Sequence, residues 1–186
     1  MKRRIFIALD LPTGLKENIA EAIKQWQWLP IRWLKPEHWH VTLIPPVYLE
    51  DAEREALVAH FKKIRWGQTF PLRFSRITLA PPGVLARMVW LEGETPRELG
   101  ALKGKLERLW ASRPELPQPK VESRPLRLHL TLARFEPGEL KELEQKTRML
   151  GEIDFKFEVK EVAIVESLLK PSGAEYDTLA VIPLAT

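Results

Sequence analysis

Trp39-His40-Val41-Thr42-Leu43 in the first half of the chain and Leu128-His129-Leu130-Thr131-Leu132 in the second place the same His-x-Thr inside an apolar run. Both runs read as strands. Side chains alternate faces along a strand, so His40 and Thr42 project from one surface while Val41 and Leu43 project from the other, and the second copy repeats this. Four His and nine Thr would give two such matches by chance roughly 1 to 2% of the time. Burying the leucine faces under helices leaves both imidazoles and both hydroxyls on one shared concave surface.

The 186 residues are 45% hydrophobic, enough for a core, and the expectation is one domain over residues 1–186 built of two lobes. Asp10, Pro12, Lys16 and Glu17 interrupt the early apolar segment, and no apolar run approaches membrane-spanning length. The reading is therefore a soluble, cytoplasmic monomer with no membrane partner. The absence of Cys excludes disulfides, thiolate metal ligands and a Cys nucleophile, leaving imidazole and carboxylate chemistry. A net charge of +4 and a pI near 9.4 favour an anionic partner, although acids and bases are interspersed as on an ordinary solvated surface.

Working outward from the motifs, Ile5-Phe6-Ile7-Ala8-Leu9 suits a buried central strand. Thr13 is placed to cap a helix running from Leu15 to about Trp28, which Pro30 ends. Ile31–Leu34 reads as a short strand and His38–Ile44 as the first motif strand, with Pro45-Pro46 terminating it by removing ladder donors. Helices are expected over Glu50–Ile64, Pro96 to about Trp110, and Glu139–Leu150. Further strands are expected over Gln68–Leu79, with an irregularity near Ser75, then Ala86–Leu91, Leu126–Ala133 (the second motif), Phe155–Val159, Val162–Leu168 and Tyr176–Ile182. Strands alternating with helices around paired motifs predict two βαβ-like lobes related by a pseudo-twofold axis, their sheets meeting at a cleft.

One imidazole can take a proton from a nucleophile while the other donates to a leaving oxygen, the division of labour that acid-base catalysis near neutral pH requires. Thr42 and Thr131 can hydrogen-bond phosphoryl oxygens without titrating. The plainer alternative is two strand histidines that only bond their neighbours. His38 shares the face of His40 and reads as a cleft-edge or structural residue, and His60 as a packed helix residue. His38 with His40 lacks a third ligand at sensible spacing, so no metal is expected. Trp26, Trp90 and Trp110 fall on core stripes; Trp33 and Trp39 flank the first motif, where core packing and base stacking compete. Arg124 and Arg127 precede the second motif and suit either an entry for RNA phosphates or ordinary surface charge.

The motif pair, with Arg124-Pro125 and Ala133-Arg134 around its second copy, resembles the two-histidine (2H) phosphoesterase superfamily, specifically its RNA 2',3'-cyclic phosphodiesterase or 2'-5' RNA ligase branch. The likeness extends to the opening Arg4–Pro12, to Val89-Trp90-Leu91, and to the closing Glu166-Ser167-Leu168 and Gly173-Ala174-Glu175-Tyr176. It implies a bilobal α+β fold, each lobe an antiparallel-rich sheet with helices on its outer face, and both motifs on the floor of a central cleft. It further implies hydrolysis of RNA 2',3'-cyclic phosphate ends to 2'-phosphates without cofactor or metal, with 2'-5' ligation as the reverse reaction. By the same resemblance His40 is the acid, His129 the base, and Glu166-Ser167 and Tyr176 are structural. Arg134 matches the family's Thr-Leu-Ala-Arg ending and is implied to bind phosphate, whereas strict alternation puts it on the leucine side unless the strand ends or bends there. Ile44-Pro45-Pro46-Val47 departs from the family's usual Phe-Leu-Gly turn and predicts a reshaped cleft rim. A non-catalytic RNA- or nucleotide-binding module that kept the cleft is the rival reading.

Overall fold

The computed structural model of the chain describes residues 1–82, 84–120, 125–139, 151–170 and 173–185. Nine strands make two antiparallel sheets among these residues. In chain order they are β1 (Arg3–Asp10), β2 (Arg32–Trp33), β3 (His40–Leu49), β4 (Phe70–Ala80), β5 (Met88–Gly93), β6 (Leu128–Arg134), β7 (Gly151–Val159), β8 (Glu161–Lys170) and β9 (Gly173–Pro183). The first sheet runs β3-β1-β8-β9 and the second β2-β6-β5-β4-β7. Among the described residues, three α-helices accompany them: α1 (Thr13–Ile23), α2 (Asp51–Lys62) and α3 (Arg97–Ala111). None of the described helices is long and apolar enough to cross a membrane.

Each helix buries an apolar stripe at helical spacing. Leu15, Ile19 and Ile23 of α1, Leu57 and Phe61 of α2, and Leu99, Leu102, Leu106 and Trp110 of α3 join a single cluster with Ile5, Ile7, Leu9, Val41, Leu43, Leu130 and Leu132 from the strands. Removing these side chains from water is the main favourable contribution to the fold. Pro12, rather than Thr13, sits at the N-cap of α1 and its carbonyl accepts from the Leu15 and Lys16 amides, so the Thr13 hydroxyl caps nothing. That helix also stops short of Trp28: it gives way to a 3-10 turn at Lys24–Trp26, and Trp28 lies exposed.

A repeat is present, but its strands do not pair as a βαβ unit would. In both halves the motif strand lies antiparallel to the strand preceding the helix, β3 on β1 and β6 on β5, whereas a βαβ crossover makes parallel neighbours. The halves also trade strands. β2 from the first half pairs with β6, while β8 and β9 from the end of the chain extend the first sheet beside β1. Hydrophobic periodicity encodes which face of a strand is buried and carries no information about its partner, so this exchange could not be read from the pattern. The expected helix at Glu139–Leu150 falls almost wholly outside the described residues, which show a 3-10 turn at Pro137–Glu139.

Pro45-Pro46 does not end the first motif strand. β3 continues to Leu49 because it lies at a sheet edge, where a missing N–H is tolerated. Its register with β1 slips between Ile5↔Val47 and Ile7↔Ile44, which accommodates the prolines. The irregularity expected near Ser75 is present as a register shift between Phe74 and Arg76 against β7. At the end of β5, a Cβ built on Gly93 would lie 1.9 Å from the Arg73 carbonyl oxygen of β4. Since neither backbone can yield without breaking the ladder, Gly93→Ala should destabilise the protein by more than about 2 kcal/mol. Urea unfolding of the two proteins measures this; equal midpoints would mean that β4 and β5 separate freely there.

Candidate active site

The two motif strands come together from different sheets. β3 and β6 are in contact, and the connection that leads into the first motif is itself tied to the second: Arg32 and Trp33 of β2 pair with Arg134 and Ala133, and the Leu34 amide donates to the Leu132 carbonyl at 2.9 Å. Only a 3-10 turn at Pro36–His38 then separates this anchored segment from His40. The relative position of the two histidines is thus fixed by backbone pairing, a stiffer device than side-chain contact alone.

Both imidazoles are held in the same way. His40 Nδ1 lies 2.8 Å from the carbonyl oxygen of His38, and His129 Nδ1 lies 3.0 Å from the carbonyl oxygen of Arg127. A carbonyl can only accept, so Nδ1 of each ring carries the hydrogen and Nε2 is left as the ring nitrogen able to take or give a proton. Each ring is also packed against aromatic neighbours. His40 sits 4.9 Å from Phe6 and 5.3 Å, edge-on, from Tyr176, while His129 stacks on Trp90 at 3.9 Å between centroids. Such contacts stabilise by about 0.5–1.5 kcal/mol each beyond the area they bury and hold the rings in place. Burial, the largest influence, lowers the His40 pKa below its ordinary value. Its bond to the His38 carbonyl and the charge of Asp10 oppose that shift, whereas Lys16, 2.6 Å from Asp10, and His129 reinforce it. An empty cleft therefore favours neutral His40.

His40, Thr42, His129, Thr131 and Arg134 line one cavity of about 180 Å³, together with Arg4, Phe6, Leu34, His38, Pro46 and Tyr176. Arg134 reaches it through a bulge. Trp90 pairs with Thr131 and Val89 with Ala133, so Leu132 is an extra residue on β6; alternation is reset behind it, Ala133 is fully buried, and Arg134 returns to the histidine side. β3 carries the matching irregularity: Ala8 pairs with Thr42 and Ile7 with Ile44, leaving Leu43 as the extra residue. The corresponding positions beyond the two bulges are Arg134 and Pro45. A second guanidinium is contributed instead by Arg4 of β1, whose Nη1 donates to Ser167 Oγ at 3.1 Å.

The other residues singled out in the sequence separate cleanly. His38 lines the cleft, supplies the carbonyl that orients His40, and packs at 5.1 Å against Tyr176. His60 lies on α2 beside Phe61. Trp39 is 1% exposed within the core and Trp33 packs against it, so neither presents a stacking face to the cleft. Trp90, expected in the core, is buried at 8% exposure, and its ring is also the platform beneath His129. Arg127 is exposed near the cleft, and Arg124 lies outside the described residues. Tyr176, expected to be structural, is a cleft wall, and Arg4 and Phe6 join it there. The signal for both β1 residues was alternation: Arg4 and Phe6 sit opposite Ile5 and Ile7, just as Trp90 sits opposite Val89 and Leu91. Among the described residues, no group of three or more His, Asp or Glu is arranged to hold a metal ion.

A family model described as the 2'-5' RNA ligase superfamily matches residues 15–170. The chain is 24% identical to a protein of Methanocaldococcus jannaschii named RNA 2',3'-cyclic phosphodiesterase, over 95% of this chain and 98% of the relative. It is 23% identical to a protein of the same name from Archaeoglobus fulgidus, over 96% and 98%. Its fold is similar to that of E. coli LigT crystallised with 3'-AMP, with a TM-score of 0.78, 22% identity and complete coverage of both chains.

Proposed function

Since the chain belongs to the 2'-5' RNA ligase superfamily, we propose that it opens 2',3'-cyclic phosphate ends of RNA to 2'-phosphates, with His40 and His129 as the acid-base pair. The observation that carries this reading is the pairing itself: two imidazoles, each with Nδ1 committed to a backbone carbonyl, line one cavity with two hydroxyls and two guanidiniums. The archaeal relatives are named RNA 2',3'-cyclic phosphodiesterase, which supports a cyclic phosphate end of RNA as the substrate.

In this scheme the cyclic diester, a monoanion, lies between Arg4 and Arg134, with Thr42 and Thr131 donating to its oxygens. Nε2 of one histidine takes a proton from water as the water oxygen attacks phosphorus. The P–O3' bond breaks and Nε2–H of the other histidine protonates O3', which as an alkoxide would be a poor leaving group. The products are a 2'-phosphomonoester and a free 3'-hydroxyl, and the two histidines have exchanged protonation states, which solvent restores. The resemblance assigns His40 as acid. Burial disfavours its charged form in the empty cleft, so this role depends on the bound phosphate, whose negative charge stabilises the imidazolium. With the 5'-hydroxyl of a second strand in place of water, the same ring opening breaks the P–O3' bond, protonates O3' and leaves a 2'-5' phosphodiester, which is ligation by the same residues. The chain acts as one two-lobed domain, because the site draws on both sheets.

The test is incubation of an oligoribonucleotide ending in a 2',3'-cyclic phosphate with excess chelator. The expected product is the 2'-phosphate alone. A 3'-phosphate product would mean that O2' leaves and that the assigned geometry is inverted; loss of turnover in chelator would overturn the metal-free mechanism.

A further inference from the structure

A second cavity, of about 430 Å³, adjoins the first and shares Thr42 and His129 with it. Its chemistry is different. Where the first cavity is lined by histidines, threonines and guanidiniums, the second is walled mainly by Pro81, Pro82, Met88 and Trp90 and carries two cations, Lys103 and Arg127, with no carboxylate among its lining residues. Lys103 projects from α3, where Glu107 four residues on holds its ammonium. Arg127 directly precedes the second motif strand and is exposed. An apolar slot with cations at its wall, opening directly off His129, matches a base and ribose followed by a backbone phosphate.

We propose that this second cavity binds the RNA strand on the 5' side of the reacting end, so that the protein acts on oligonucleotides in preference to mononucleotides. The inference rests on the phosphodiesterase reading for its orientation. With the cyclic phosphate beside the histidines, the terminal nucleoside extends past His129 into the slot, and the first internucleotide phosphate meets Lys103 and Arg127. A nucleoside 2',3'-cyclic phosphate lacks that phosphate and gains nothing from either cation.

The experiment compares kcat/KM for a short oligoribonucleotide 2',3'-cyclic phosphate with that for the matching cyclic mononucleotide, in the wild type and in Lys103→Gln/Arg127→Gln. Their ratio cancels any common effect on the chemical step. In the wild type the ratio should exceed one by about 10-fold or more at low salt, as two charge-assisted phosphate contacts predict. It should fall with added salt, and the double variant should bring it towards one. Equilibrium binding of an oligoribonucleotide 2'-phosphate provides a readout that needs no turnover. The logarithmic salt slope should decrease by about 0.7 for each lost single-strand phosphate contact. A wild-type ratio near one, or a ratio and salt slope unmoved in the variant, overturns the assignment of this cavity. Absent turnover of both substrates with an intact salt-slope difference would instead remove the phosphodiesterase reading and leave the strand-binding cavity standing.

Discussion

His40→Ala and His129→Ala are each expected to lower kcat for the cyclic phosphate by about 10²- to 10⁴-fold, the usual contribution of a positioned acid or base. The loss should appear in kcat more than in KM, because the guanidiniums and hydroxyls that hold the diester in the ground state remain. The double variant should lose little beyond the worse of the two, since one proton transfer without its partner achieves almost nothing. The wild-type rate should follow a bell-shaped pH profile, and each alanine variant should lose one limb of it. The pKa of His40 sharpens the test. Burial depresses it in the empty cleft, and an anion beside it must raise it, so the limb due to His40 should lie at lower pH in kcat/KM, which reports the free protein, than in kcat, which reports the complex. Titration by NMR reads the same group directly: the His40 resonance should titrate below the ordinary histidine value in the free protein and move upward on adding a nucleoside 2'-phosphate. Turnover that survives either alanine substitution would return the cleft to the rival reading, a module that binds nucleotides without acting on them.

Much of this site is legible in a one-dimensional pattern, for a physical reason. A strand buried on one face must alternate, so His40, Thr42, His129 and Thr131 were bound to share the face opposite Val41, Leu43, Leu130 and Leu132 once those leucines entered the core. The same rule holds for Phe6 and Trp90, which the sequence reading left in the core, because an unbroken apolar run such as Ile5–Leu9 masks its own alternation: every residue in it is a credible core residue. Tyr176 was harder. It reaches the cleft only because β9 pairs with β8, and β8 with β1, and pairing between distant strands leaves no local trace. Pro45-Pro46 misled for a related reason: two prolines end a central strand, whereas β3 is at an edge, and edge or centre is a property of the assembled sheet.

Arg134 depends on a single inserted residue, and its expected effect is the second largest. Without the bulge at Leu132 its guanidinium would lie on the leucine face; with it, Arg134 joins the two histidines and Arg4 in the cavity. Arg134→Met keeps most of the aliphatic stem and removes the donors. If the guanidinium stabilises charge that grows on phosphorus oxygens as water adds, the variant should lose about 10²- to 10³-fold in kcat, the range for removing one such donor. Arg134→Lys separates geometry from charge. A point charge on a flexible stem cannot reproduce two parallel N–H bonds to a phosphoryl group, so lysine should restore KM more fully than kcat. Complete rescue of both parameters by lysine would reduce Arg134 to an electrostatic contribution. Unchanged rates in Arg134→Met would leave the phosphate to Arg4 and the threonines, and the bulge at Leu132 would then have to be explained by the closure of β2 onto β6 rather than by catalysis.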